Sequence, residues 1–409
     1  MRSLLAIGTP TVMLAALALS PAPQQQTVEG RWDAEARSWD DQSRVQLDLR
    51  AEIDGRRSHH GNTFRTEELP GLDLWSRGAG PVQFQLTREA GTIAFTGEQE
   101  GDEASGRFVW TRSDRFVERM AGLGYSGLTT RDLFSMTLLD VTTGFVTAMQ
   151  ERGYRAATTR DLIRMRIHGV SAEFVDGLAE AGYDDLSIDD LVRFRIHGVS
   201  VDYITAMAGY GYTDLSGEEL VRFRIHRVTP EYVETMAAAG FDHLTADDIV
   251  RMRIHGVSPQ FIEQLGELGY TDLSAEDLRK ARIHGVSADF IHDMAGLGFE
   301  LSMDELVQMR IHGVSAEWVG GFAGLGYDDL SSSTLRRMRI HGVSPDFVRE
   351  MAAVGYESVP TETLIRFRIH GVDADFVKEL EEHNFTGLSA EDLVQARIHG
   401  DWMRRSRRP

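Results

Sequence analysis

Val170–Gly198 reads VSAEFVDGLAEAGYDDLSIDDLVRFRIHG, 29 residues that specify two short helices and the turns around them. Ser171 stands where its hydroxyl can accept an orphan backbone amide of the first helix, and Glu173 suits that helix's positive end. Phe174, Val175 and Leu178 then form one apolar stripe at helical spacing. Gly182 falls where the helix must stop in a left-handed conformation, with Tyr183 as the apolar contact behind it. Ser187 caps the second helix, and Asp190 three residues on completes a variant of the capping box. Leu191, Phe194 and Ile196 are expected to supply the buried side of that helix, and Gly198 ends it.

The unit recurs at a fixed step. Its closing histidines are 29 residues apart, except for a step of 28 into His312, where Phe299-Glu300-Leu301 lacks a loop residue. Nine such units occupy 141–400, after a degenerate unit at 113–140 that carries Leu139-Asp140 in place of His-Gly. A single unit cannot bury enough apolar surface to offset the entropy of ordering its own chain, so its neighbours must supply the missing contacts. The sequence therefore predicts an α-helical repeat solenoid. The first unit and the polar Glu381-Glu382-His383 of the last read as terminal caps. At the helix stops, Asn384 replaces the first glycine of one unit and Arg227 the second glycine of another, so both are expected in the left-handed region.

The joints between units are Arg166, His168 and Gly169; Arg195, His197 and Gly198; Arg224 and His226; Arg253, His255 and Gly256; and Arg282, His284 and Gly285. They continue with Arg310, His312 and Gly313; Arg339, His341 and Gly342; Arg368, His370 and Gly371; and Arg397, His399 and Gly400. Each arginine is expected to bridge to a carboxylate of a neighbouring unit. Each histidine is expected to hydrogen-bond the open carbonyls of its helix end and, when protonated, to complement the negative pole there. A row of histidines invites a metal or haem. However, packed helices lie about 8–10 Å apart, whereas zinc needs its nitrogen ligands at about 2.0–2.1 Å. No metal ligand, cofactor-binding residue or cofactor is assigned. Burial of several of these histidines would make every joint sensitive to acid.

No catalytic residue is assigned either. The sequence contains no His-Glu-x-x-His, no Gly-x-Ser-x-Gly and no phosphate-binding glycine loop, and its carboxylates recur with the repeat at helix starts, where capping explains them. The positions that vary between units include Asp176-Gly177, Thr205-Ala206, Glu263-Gln264, His292-Asp293, Gly320-Gly321 and Arg349-Glu350. A constant frame carrying variable helix faces is how repeat arrays present a binding surface.

Upstream of the repeats, 28–111 reads as a small antiparallel β domain. Val45–Leu49, Val82–Leu86 and Ile93–Phe95 alternate apolar and polar residues, and Arg107–Trp110 closes the set of four or five expected strands. Asp54-Gly55, Gly78-Ala79-Gly80-Pro81, Ala90-Gly91 and Gly101-Asp102 supply the turns. His59 and His60 lie in a polar stretch, Arg56–Asn62, read as a solvated loop. Before it, Arg2, an apolar run from Leu4 to Leu19 and the small residues Ser20 and Ala22 make 1–22 a signal peptide, with an uncleaved anchor as the alternative. No later segment is apolar enough to span a membrane.

The chain has 409 residues, a formal net charge of −20 and no cysteine. Such acidity argues against nucleic acid or an anionic membrane surface as a partner of the whole molecule. The basic tail at 401–409, with four arginines between Arg404 and Arg408, offers one weak anionic contact. Without cysteine, disulfides, thiolate metal sites and cysteine nucleophiles are excluded.

The units Gly-Tyr-x-Asp-Leu-Ser, Asp-Leu-Val and Arg-Ile-His-Gly-Val resemble the tandem repeats trailing some bacterial BlaR1-type membrane metallopeptidase sensors of the M56 family. The likeness covers roughly residues 28–400. It implies a setting in the cell envelope near a sensing system, and it carries no catalytic residue, because the zinc motif and membrane helices of those sensors have no counterpart here. The expected class is α+β, mainly α. The expected role is an exported, non-enzymatic scaffold or sensory module of the periplasm or extracellular envelope, binding a protein through the variable faces of its array. The alternative is a ligand- or metal-binding envelope sensor that uses the histidine ladder or the β domain.

Overall fold

The computed structural model describes residues 27–39, 42–76 and 78–400, so the expected signal peptide and the basic tail lie outside the described residues. The class is α+β, mainly α: a six-stranded antiparallel sheet followed by twenty helices among the described residues. The described residues up to Val201 form one compact unit, and the described residues from Asp202 onward form a second. No helix among the described residues is long and apolar enough to cross a membrane.

The sheet comprises β1 (Thr27–Trp39), β2 (Gln42–Ile53), β3 (Arg56–Arg65), β4 (Ala79–Arg88), β5 (Gly91–Glu100) and β6 (Glu103–Arg112), in the order β3-β2-β1-β6-β5-β4. The alternating stretches fall in β2, β4, β5 and β6 as expected. Two strands were not anticipated. Val28, Trp32 and Ala34 of β1 alternate inward, but long charged residues separate them. The stretch around His59 and His60, expected as a loop, is the edge strand β3. Its inward positions are Ser58, His60 and Asn62 with only Phe64 fully buried, so no hydrophobic alternation marks it. The expected turn at Gly78–Pro81 is instead where β4 begins; Pro81 is tolerated because β4 is the other edge.

Trp32 anchors the inner face. Its ring meets Phe84 and Phe95 edge-on at centroid distances of 5.1 and 5.8 Å, and its Nε1–H donates to the carbonyls of Thr96 and Arg107 at 3.2 and 3.1 Å. Gly97 has to be glycine for this, since a Cβ there would lie 2.8 Å from Trp32 Cζ2.

The degenerate first unit packs onto this sheet. It consists of α1 (Asp114–Gly122) and α2 (Thr130–Leu138). Phe134 of α2 meets Phe108, Trp110 and His60 at 5.8, 5.7 and 5.4 Å. The Trp110 Nε1–H donates to Thr137 Oγ1 at 3.0 Å, and that hydroxyl donates to the Leu133 carbonyl at 2.8 Å. Burial of seven of the nine α2 residues follows from this docking. Glu89, in the β4–β5 turn, accepts from the backbone amide and hydroxyl of Thr143 at 2.6 and 2.8 Å and pairs with Arg119.

The regular units follow the expected plan, beginning with α3 (Thr143–Glu151), α4 (Thr159–Ile167), α5 (Ala172–Glu180) and α6 (Ile188–His197). The Ser171 hydroxyl accepts from the amide of Phe174, while Ser187 and Asp190 form a reciprocal capping box. Gly182 and Gly198 adopt φ of 91° and 70°, and the substitutes Arg227 and Asn384 adopt 56° and 66°. Phe174, Val175, Leu178, Leu191 and Phe194 are buried.

Within each compact unit, a tyrosine ladder ties successive repeats. The hydroxyls of Tyr125 and Tyr154 donate to the carbonyls of Ala157 and Leu186 at 2.9 and 2.8 Å. Tyr212, Tyr327 and Tyr356 reach Leu244, Val359 and Leu388 in the same way at 3.1, 2.6 and 2.8 Å. Burial pushes the Tyr212 hydroxyl up to about 12, which keeps it a donor at ordinary pH. This tyrosine is thus a polar tie as well as the apolar stop expected of Tyr183.

Candidate interaction surface

Each joint arginine lies over an aromatic ring of the first helix of its own unit. Arg195 stands 5.0 Å from the centroid of Phe174, Arg253 4.7 Å from Tyr232, and Arg397 4.6 Å from Phe376; the other six joints repeat the contact at 4.8–5.4 Å. A guanidinium in this position is held by the ring's negative face. At two joints it also closes the preceding unit: Arg195 Nε donates to the His168 carbonyl at 3.3 Å, and Arg166 Nε to that of Leu139 at 3.1 Å. For Arg195 the expected carboxylate bridge is therefore corrected to a ring and a carbonyl, while Arg166 also lies 3.9 Å from the Asp140 carboxylate.

Inter-unit salt bridges do form, but from the residue two positions earlier. Arg164 pairs with Asp189, Arg222 with Asp247, Arg337 with Glu362 and Arg366 with Glu391. The last contact pulls the Glu391 carboxyl down to about 2. These pairs are solvent-exposed, so each contributes little to stability.

The joint histidines line the helix ends without converging. His341 and His399 are exposed and the other seven half-buried. His399 Nε2 lies 3.0 Å from Gln395 Oε1, a side-chain contact in place of the expected carbonyl. Among the described residues, no group of three or more histidine, aspartate or glutamate side chains comes together as metal ligands would. The joint glycines hold left-handed φ near 70°, and the arginine of the following unit packs beside Gly169, Gly256 and Gly285.

The isoleucine between arginine and histidine departs most from expectation. Ile196 is not buried. Its equivalents Ile167, Ile225, Ile254, Ile283, Ile311, Ile340, Ile369 and Ile398 share its exposure, and the nine range from 46% to 56%. The signal was present in the sequence: at 3.6 residues per turn, Ile196 lies about 200° around the helix from the buried Phe194. The buried apolar role at the joint belongs instead to the valine after each glycine, such as Val199 and Val286, both 1% exposed.

Of the variable positions, Asp176, Thr205, Glu263, Gln264, His292, Asp293, Arg349 and Glu350 are exposed on first helices. Some serve the frame, since Asp176 pairs with Arg152 of the preceding unit at 2.6 Å. Compared with known proteins, the chain matches no family model and no curated protein.

Proposed function

We propose that this chain is a non-enzymatic, exported protein-binding module whose repeats each offer an exposed isoleucine to a protein partner. The observation that carries the reading is the identity of those nine exposed side chains. A position that only needed a helix former would vary between units, as the one three residues before it does with Lys280, Gln308 and Arg337. Instead it holds one β-branched apolar residue in every unit, at a cost in helix propensity. In this reading the isoleucines supply common contact area, and the variable first-helix residues supply selectivity. The apolar segment before Ser20 supports export, and the repeat's resemblance supports an envelope setting.

The test is quantitative affinity capture from the native cell envelope, comparing the mature chain with an Ile254→Asn, Ile283→Asn, Ile311→Asn variant of unchanged circular dichroism. A specific partner should fall at least tenfold in recovery with the variant. Equal recovery of every captured protein would remove the isoleucines from the proposal.

A further inference from the structure

The solvent face of the sheet carries a second feature, independent of the array. Four basic side chains stand in one cross-strand row: His59 on β3 opposite Arg50 on β2, Arg50 opposite Arg31 on β1, and Arg31 opposite Arg107 on β6. All four are exposed. Like charges directly opposite one another destabilise an antiparallel pair. Two of the four are answered within the sheet, since Arg50 pairs with Asp33 at 2.9 Å and His59 with Asp48 at 3.2 Å. Arg31 and Arg107 face each other, and among the described residues neither side chain makes an ion pair or hydrogen bond. They border a shallow groove of about 330 Å³, whose wall includes Ser105, the bare backbone of Gly106 and Asp33, the carboxylate that Arg50 holds.

We propose that this groove binds a short linear anion bearing two or more phosphate groups. Guanidinium forks match phosphate oxygens in pairs. Strands in a sheet lie about 4.8 Å apart, so Arg31 and Arg107 can close on one phosphate group while the next extends along the row toward Arg50. The site is narrow. Asp33 and Asp48 flank the row on one side and Glu29 and Glu52 on the other, two residues along each strand on the same face. A broad polyanion such as duplex nucleic acid would meet all four carboxylates, whereas a ligand lying along the row meets only Asp33, which is paired with Arg50. The same chemistry is offered by a free oligophosphate and by a phosphorylated lipid headgroup.

The experiment uses the full mature chain and the variants Arg31→Gln, Arg107→Gln and both together, with Arg160→Gln as a distant control. Tripolyphosphate is titrated by calorimetry and thermal shift. In parallel, vesicles containing a phosphoinositide, and vesicles of phosphatidylcholine alone, are tested by co-sedimentation. The proposal expects saturable binding of tripolyphosphate, of phosphoinositide vesicles or of both, weakened at least tenfold in the double variant and unchanged in the control. Which probe binds identifies the source. Without ligand, the double variant should melt at or above the wild-type temperature, because it relieves repulsion. Failure of both probes to bind, binding unaffected by the double variant, or a clear loss of stability in the ligand-free variant would overturn the proposal.

Discussion

The joint arginine links two neighbouring repeats. The Arg195 guanidinium rests on the Phe174 ring of its own unit and closes the His168 carbonyl at the helix end of the unit before. From sequence alone an arginine beside many carboxylates reads as half of a salt bridge, because charge is visible in a sequence and ring proximity across 21 residues is not. The left-handed stops were legible, since only a few residue types tolerate that backbone. Arg227 at φ 56° is the exception that can be measured. Arg227→Gly should raise stability by about 1 kcal/mol and lift the melting temperature, as read by calorimetry; a clear fall would mean that the side chain contributes more than its backbone costs.

Each second helix is specified mainly at its ends, and those ends set how the array responds to acid. Hydrogen bonds from Ser274 hold the Asp277 carboxyl below its ordinary range, and those from Ser216 do the same for Glu219. Serine caps likewise lower Glu305 and Asp392. A carboxyl whose pKa is depressed by folding contributes stability that is present above its unfolded value and lost as pH falls through its folded value. The melting temperature should therefore hold down to about pH 4.5, the ordinary glutamate value, and drop progressively toward pH 2, where Glu391 also titrates. Ser274→Ala should cost about 1 kcal/mol at neutral pH and shrink that acid-dependent drop. A transition centred near pH 6.5 would instead assign the pH response to histidines. The capping pattern was readable because caps are local. Strand β3 was not, because an edge strand needs no apolar alternation and its polar His59 and His60 resemble a loop.

In the first compact unit the sheet takes the place of a preceding repeat. Phe134 and Thr137 of α2 are buried against Trp110, and Asp140, which stands where later units have glycine, lies 3.6 Å from Arg88 of β4. The period of the array was legible because core and stop positions recur in every unit. Which apolar residues face outward was not read, although the helical angle of Ile196 contained it. On the proposed function the exposed isoleucines are surface for a partner, while the buried valines and leucines hold the fold. The most direct measurement compares two variants of the same helix: Ile283→Thr and Leu278→Ala, whose wild-type residues are 46% and 1% exposed. In denaturant unfolding, Leu278→Ala should cost about 2–5 kcal/mol, and Ile283→Thr less than about 1 kcal/mol, near the range of ordinary surface substitutions. Equal losses from the two would show that the isoleucine holds the fold together and would contradict the account.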